Sequence, residues 1–389
     1  MSSVKQFLEL LRINMGTVAA RPAPVLTIVV GIACAVAVLI SMLAMGVGAL
    51  QQAMGDVRPD RVVVLSTGAR SATESDILAE AAAAVRDIPG IRKGPDGNPL
   101  ALNETVVSIA VRRKDGGART NIVLAGAGPG LIEVRPEIRV TAGRLFRRGL
   151  HELIANEVCA RLYEGFANGD KLPIRGADWT VVGQFHLSHT GGQCTLYADA
   201  AAIMSALHRD SYSQTTVLLQ SPAGYASFVA ALRANPTLRL QARHESEVVA
   251  ENSSQLIGLL NFAGYFIGGI MAIGATLGAV NSMYAIVDGR LRELAILRAI
   301  GFASSPIVAS ILVESSLLAL PGALLGSAVA WLFFGQMSVS PFDVTFRLAV
   351  TLPLVVLGVM WALAIGVIGG LLPALRAANA PVTKALREA

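Results

Sequence analysis

Four long apolar runs divide the chain. Residues 22–55, 252–287 and 348–375 carry no charge, and 299–342 carries one charged residue, Glu314. About 20 mostly apolar residues, rising 1.5 Å each, cross the ~30 Å hydrocarbon core of a bilayer. Every run exceeds that length, so the pattern predicts membrane helices over about 23–48, 257–287, 305–335 and 349–372. Small residues recur at a spacing that suits close helix packing in lipid. Gly264 with Gly268 and Gly274 with Gly278 lie on the second run, Gly322 with Gly326 on the third, and Gly366 with Gly370 on the fourth.

Between the first two runs, over 51–255, the period changes. Residues 61–67 (RVVVLST) predict a strand, and an Ala-rich helix over 73–86 follows, with Thr73 as its N-cap. Residues 105–113 alternate like a half-buried strand, and the turn Lys114-Asp115-Gly116-Gly117 returns the chain into 120–124 as a hairpin. Further on come a helix at 199–207, a strand at 214–220, a helix at 223–234 and a strand at 238–242. The two ends, about 56–126 and 199–250, predict one α+β layer. Residues 127–198 have a different texture. A short helix over 156–162 and strands over 170–174 and 179–185, around the turn 175–178, predict an inserted small β-rich subdomain. The fold class is therefore membrane α-helical, with four transmembrane helices (23–50, 256–287, 305–335, 349–372) plus an external α+β domain.

Composition sharpens this. The chain is 53% hydrophobic and only 15% charged, against ~25% charged in soluble domains. That excludes a disordered chain and argues against a soluble enzyme. The first run is also too long for the 7–15-residue apolar core of a cleaved signal peptide. Basic residues set the orientation. Lys5, Arg12 and Arg21, then Arg290, Arg292 and Arg298, then Arg376, Lys384 and Arg387 fall on one side; the short loop 336–348 opposite holds only Asp343 and Arg347. Segments 1–22, 288–304 and 373–389 are thus expected in the cytoplasm, and 51–255 outside. The net charge of +5 forms no basic stripe with interleaved aromatics, so no nucleic-acid partner is expected.

Candidate chemistry in the external segment is sparse, and no catalytic, cofactor-binding or metal-binding residues are assigned. All five His lie there without metal-ligand spacing. His151, His186 and His208 are dispersed, and Ser188-His189 beside Gly191-Gly192 reads as a polar loop, because adjacent residues do not meet as a triad requires. The run Gly126–Gly130 lacks the Lys-Ser/Thr of a phosphate loop and reads as a linker. Three Cys exclude a disulfide scaffold. For Cys159 and Cys194 two readings stand side by side, a disulfide in an oxidising compartment or two buried free thiols.

The most informative stretch is 281–302 (NSMYAIVDGRLRELAILRAIGF). A helix here carries Arg290, Arg292, Glu293 and Arg298 interleaved with Leu294, Ile296 and Leu297, and Gly301 followed by Ser304-Ser305-Pro306 ends it. A solvated positive loop explains the arginines but leaves the aliphatics without a role. A partner groove would bury them, as an amphipathic helix is buried in a groove. Glu314 is the only ionisable residue inside a run, and no second intramembrane charge offers a relay partner. A structural or lateral-cleft role is therefore favoured over proton coupling. Pro321 predicts a kink in that helix.

Here the chain resembles the MacB/FtsX-like permeases of ABC transporters, the mechanotransmission type. Arg292-Glu293-Leu294-Ala295-Ile296-Leu297-Arg298-Ala299-Ile300-Gly301 is similar to that family's coupling-helix signature. Gly370-Leu371-Leu372-Pro373-Ala374-Leu375-Arg376-Ala377-Ala378, followed by 381–387 (PVTKALR), is similar to its tail. The order of one span, a large external domain and three spans also matches, and so do 141–146 (TAGRLF) and 179–185 (WTVVGQF). The resemblance implies a permease that dimerises and pairs with an ATPase, contacting it through Arg290, Arg292, Glu293, Ile296, Leu297 and Arg298. No Gly-x-x-x-x-Gly-Lys-Ser/Thr occurs, so the ATPase is expected to be a separate chain, with ATP and its magnesium held there. A periplasmic adaptor and an outer-membrane channel are further partners in many relatives. The implied function is efflux of substrate from the periplasm or outer leaflet. Lipoprotein extraction or activation of a cell-wall hydrolase is the alternative on the same architecture. A ligand-binding receptor without an ATPase is the alternative of another class.

Overall fold

The computed structural model describes residues 22–116, 119–187, 194–300, 303–335, 337–339 and 346–379. Helix α1 is Pro22–Met54. The external domain then supplies β1 (Arg61–Ser66), β2 (Ile77–Leu78), α2 (Ala79–Arg86), β3 (Ala101–Arg112), β4 (Arg119–Ala127), α3 (Leu131–Val134), β5 (Ile138–Gly143), β6 (Glu152–Asn156) and α4 (Glu157–Leu162). It continues through β7 (Lys171–Ile174), β8 (Ala177–Leu187), β9 (Thr195–Asp199), α5 (Ala200–Leu207), β10 (Ser211–Tyr212), β11 (Gln214–Leu218), α6 (Tyr225–Arg233) and β12 (Leu240–His244). Helices α7 (Glu245–Asp288), α8 (Leu291–Ala299), α9 (Ser304–Val329, with a π-helical turn Ala330–Phe334) and α10 (Leu352–Asn379) follow. Two compact units result, one built on the long apolar helices and the other on Ala49–Gln255.

In the helical unit, α1, α7, α9 and α10 are each long and apolar enough to cross a membrane. Helix α1 is the most enclosed, with Ile32, Ala35, Val36, Leu39 and Ile40 essentially without solvent contact. Glycines bring the other helices onto it. A Cβ at Gly268 would lie 2.6 Å from Leu39 Cδ1, and one at Gly264 would lie 3.0 Å from Leu43 Cδ2. Gly322 and Gly326 approach α1 at Val29 and Ala33 in the same way, while Gly366 and Gly370 pack on α9 at Ser315. Gly274 and Gly278 have nothing within 4 Å. The two pairs on α7 are therefore unequal: the first forms a seam with α1, and the second faces open space. Overpacking such a seam costs about 1–3 kcal/mol. Gly268→Leu should lower the unfolding midpoint in detergent, whereas Gly278→Leu should leave it unchanged. Equal losses would show that the seam does not decide this.

In the external unit, one mixed sheet runs β12-β1-β11-β3-β4-β9-β6-β8-β5, with β7 paired to β8. The hairpin β3–β4 stands in register from Glu104 opposite Ala127 to Arg112 opposite Arg119. Strand β4 then pairs in parallel with β9, and β9 pairs with β6. The 127–198 segment is β-rich, and its strands extend the same sheet as the flanking elements. Helices α2 and α6 cover Val62, Val64 and Val217 on one half, where Val85, Phe228 and Leu232 close the core. Helices α4 and α5 cover Leu124, Leu153, Val181 and Leu196 on the other, around the fully buried Trp179. Cys159 and Cys194 form a disulfide inside this second core, which decides between the two readings the sequence left open. Closing a loop of 35 residues contributes about 3–4 kcal/mol in the chain-entropy account.

Local chemistry sets most boundaries. Asn156 and Asp199 cap α4 and α5 by accepting from the N–H groups of Cys159 and Ala202. Arg175 and Gly176 both take positive φ in the two-residue turn between β7 and β8. The expected linker at Gly126–Gly130 is the end of β4 and the approach to α3. A Cβ at Gly126 would meet Ala200 Cα at 2.9 Å, so glycine is needed there for α5 to seat. Thr73 does not cap α2, which begins at Ala79 without a side-chain cap. Instead Ile77 and Leu78 pair with Tyr212 and Ser211, and that pairing draws the chain out of helix. Helix α7 starts at Glu245, well before the expected 257, because its charged first turns continue into the apolar run without a break.

Candidate functional site

Helix α8 follows α7 after only Gly289 and Arg290. Its residues sort by 100° steps. Leu294 and Ala295 are buried on one face, while Arg292, Glu293, Ile296 and Ile300 are exposed on the opposite arc. Ile296 is 43% and Ile300 72% exposed, an unusual position for two aliphatic side chains flanked by charge. Leu297 and Arg298 are half-buried at the margins. The arrangement offers an apolar knob of two isoleucines between a cation and an anion, which suits a groove with matching charges. Ile300 stands just past the helix end and was not among the expected contact residues. Its signal in the sequence is the i, i+4 spacing from Ile296.

Arg290 differs from the others. It is 6% exposed, and its Nη1 lies 3.5 Å from both Glu314 Oε1 and Glu314 Oε2. Glu314 is 3% exposed on α9. Arg290 thus packs inward beneath α8, and Glu314, expected without a charged partner, has one from the loop. A buried carboxylate is tolerable only with such a partner. The end of α10 lies close by. Arg376 stacks over the Tyr284 ring at 5.3 Å, and the Ser304 hydroxyl donates to the Ala378 carbonyl at 3.4 Å. Helix α10 runs through Pro373 to Asn379, so the tail motif is helical to that point; the part from Pro381 to Arg387 lies outside the described residues. Gly301, Lys5, Arg12, Arg21, Asp343, Lys384 and Arg387 also lie outside them.

The external unit carries a second charged assembly that the sequence reading missed. Arg61, at the head of β1, is fully buried. Its Nη1 donates to Glu137 Oε1 at 2.8 Å and Glu245 Oε1 at 2.9 Å, and its Nη2 donates to Glu137 Oε2 at 2.9 Å. Arg135 donates to Glu104 Oε1 at 3.1 Å and to Glu245 Oε1 at 3.3 Å. Glu104 also accepts from Gln214 Nε2 at 2.7 Å and Thr216 Oγ1 at 2.5 Å. The Arg58 backbone N–H completes the shell of Glu245 at 3.1 Å. Burial pushes the Glu104 carboxyl up, but the Arg135 charge and the three donors outweigh it, so its pKa lies below the ordinary value. Burial likewise opposes charge on Arg135, yet Glu104 and Glu245 hold its pKa well above normal. Burial raises the nearby Tyr197 hydroxyl to about 12. Glu245 is the first residue of α7, where a carboxylate also suits the helix dipole. One carboxylate therefore gathers the chain leaving α1, the start of α7 and the 135–137 turn.

Among the described residues no other constellation stands out. Among the described residues no cluster of three His, Cys, Asp or Glu could hold a metal. His151 packs on Trp179 with centroids 4.7 Å apart, His186 Nδ1 lies 3.3 Å from Glu157, and His208 is a left-handed cap of α5. Ser188, His189, Gly191 and Gly192 lie outside the described residues.

Comparison with known proteins bears on both units. The model of the MacB-like periplasmic core domain matches residues 25–235, and that of the FtsX-like permease C-terminal matches residues 265–382. The chain is 24% identical over 408 residues to an uncharacterized ABC transporter permease, YknZ of Bacillus subtilis, covering 98% of this chain and 99% of that protein. The solved extracellular domain of the noncanonical ABC-type transporter YknZ from Gram-positive bacteria is similar at 16% identity. It covers 47% of this chain and 99% of that one, with a TM-score of 0.37. The periplasmic region of MacB from Actinobacillus actinomycetemcomitans is similar at 11% identity, over 52% and 95%, with a TM-score of 0.39.

Proposed function

The chain belongs to the MacB/FtsX-like family of ABC transporter permeases, and from that premise we propose that a separate ATPase seats on α8 and drives its external domain through α7. The observation that carries this is the exposed pair Ile296 and Ile300, set between Arg292 and Glu293 on a short helix anchored from behind by Arg290 and Glu314. A groove on the ATPase covers the isoleucines, and closure of two ATPases around ATP and magnesium moves α8. Helix α7 runs unbroken for 44 residues from Asp288 back to Glu245, about 66 Å at 1.5 Å each, and ends in the buried charge cluster. It carries the stroke outward. Glu314 is the only acidic or basic side chain within the four apolar runs, which supports force transmission over a conduit.

The termini and α8 lie in the cytoplasm in this reading, and the external domain outside, where the Cys159–Cys194 bond suits an oxidising compartment. Two permeases pair along the open face of α7 at Gly274 and Gly278. The work done is efflux of a substrate taken from the outer side, with an adaptor and an outer channel as further partners where the cell has them.

The test is co-purification in mild detergent from the native host. Ile296→Asp with Ile300→Asp should reduce the recovered ATP-binding chain about tenfold, a loss of about 1.4 kcal/mol, while insertion and melting stay unchanged. Both side chains are exposed, so folding is spared. Undiminished recovery of the ATPase with the double variant would remove α8 as its seat.

A further inference from the structure

The external sheet has an interrupted edge. In the β3–β4 ladder the Gly128 N–H donates to the Asn103 carbonyl, so odd-numbered residues of β3 pair with β4 and even-numbered ones point away. The outward groups are satisfied at both ends. The Glu104 carbonyl accepts from Ser213, the Val106 N–H donates to Ser213 Oγ at 3.0 Å, and the Arg112 carbonyl accepts from Glu164 at 3.2 Å. Between these closures the outward N–H and C=O of Ser108 and Ala110 have no protein partner among the described residues, and both residues are exposed. An open edge of this kind is a template for strand addition.

Beside it lies a cavity of about 690 Å³ lined by β3 from Ser108 to Arg112 and by the chain from Lys171 to Arg175. It is continuous at Ser108, Ile109, Ile174 and Arg175 with a smaller one of about 410 Å³. Its rim is basic. Arg112, Arg119, Lys171 and Arg175 surround it, all exposed, with Glu164 as the acid in its lining. Arg112 and Arg119 stand directly opposite in the hairpin, a like-charge pair that costs stability until an anion lies between them. Its apolar side is supplied by Ile109, Leu172 and Ile174.

We propose that this edge receives an extended acidic segment of another polypeptide, added as a strand beside β3 over Ser108–Ala110. At 3.4 Å per residue the gap from Val106 to Arg112 admits about five residues. Alternate side chains face the arginine and lysine rim and the apolar wall, so the segment alternates acidic and aliphatic residues. The proposal concerns the external unit alone and does not rest on the ATPase reading.

The test uses the full chain in detergent and a fluorescent peptide of alternating Glu and Val, with a Lys-Val peptide as control. The acidic peptide should bind at least about tenfold more tightly than the control, and its binding should slow hydrogen exchange at the Ser108 and Ala110 amides. Ser108→Pro removes one edge donor without touching the β4 ladder and should weaken binding about tenfold. Should that variant misfold, Lys171→Glu with Arg175→Glu, both exposed, should abolish the preference for the acidic peptide. Equal binding of both peptides, absence of binding, or exchange protection elsewhere would each overturn the proposal. So would phosphatidylglycerol vesicles that occupy the groove where the peptide does not.

Discussion

Replacing Glu314 with alanine should destabilise the helical unit by about 3–5 kcal/mol, the usual cost of removing one member of a buried ion pair. Arg290 is 6% exposed, and its guanidinium lies against Glu314 between the start of α8 and the body of α9. Without the carboxylate, a cation stays desolvated or drags α8 outward. Arg290→Ala should cost a similar amount, because Glu314, at 3% exposure, then loses the guanidinium against it. The double change Arg290→Met with Glu314→Leu removes both charges at similar volume and should recover most of the loss. Equilibrium unfolding in mixed micelles gives the three values. A double variant no better than the singles would show that the pair is not coupled. If the pair also holds α8 at its working angle, the double variant will regain stability yet lose ATPase recovery, and that split separates scaffold from coupling.

Much of the architecture was legible because a bilayer imposes length and polarity on its spans. The runs containing α1, α9 and α10 needed only hydropathy. Strands β1, β3 and β11 and the short helices that begin near Asn156 and Asp199 were legible from local pattern, whereas the capping role of those two side chains came from the structure. What escaped depends on contacts between distant residues. Ile77 and Leu78 leave helix because Ser211 and Tyr212 pair with them, which no local window contains. Arg290 reads as one more positive-inside arginine, and only the packing of α9 turns it inward to Glu314. The charge cluster is the extreme case. Arg61 heads a strand with both faces buried, and its partner Glu245 lies 184 residues away. Each residue alone suggests a solvated strand end, and burial makes them one assembly.

That assembly sets the acid limit of the external domain. The Glu104 carboxyl is ordinarily at 4.5 and is held lower in the folded chain. Its stabilising contribution is complete above 4.5 and is lost as the pH falls through the lowered value. Protonation there leaves Arg135 facing a neutral acid in a largely buried site, so that two carboxylates, Glu137 and Glu245, remain for the two guanidiniums of Arg61 and Arg135. Trp179 lies buried in the same domain and reports its unfolding by fluorescence. On titration from pH 7 toward 2, the wild-type domain should lose stability in the stretch below 4.5. Glu104→Gln carries no titrating group, so it should start about 3–5 kcal/mol less stable at pH 7 and show a flatter profile over the same stretch. Parallel profiles for the two proteins would place the acid sensitivity elsewhere. Because Glu245 opens α7, loosening this cluster should also weaken the grip of that helix on the sheet, and raised hydrogen exchange at the first turn of α7 in Glu104→Gln at neutral pH is the expected mark of it.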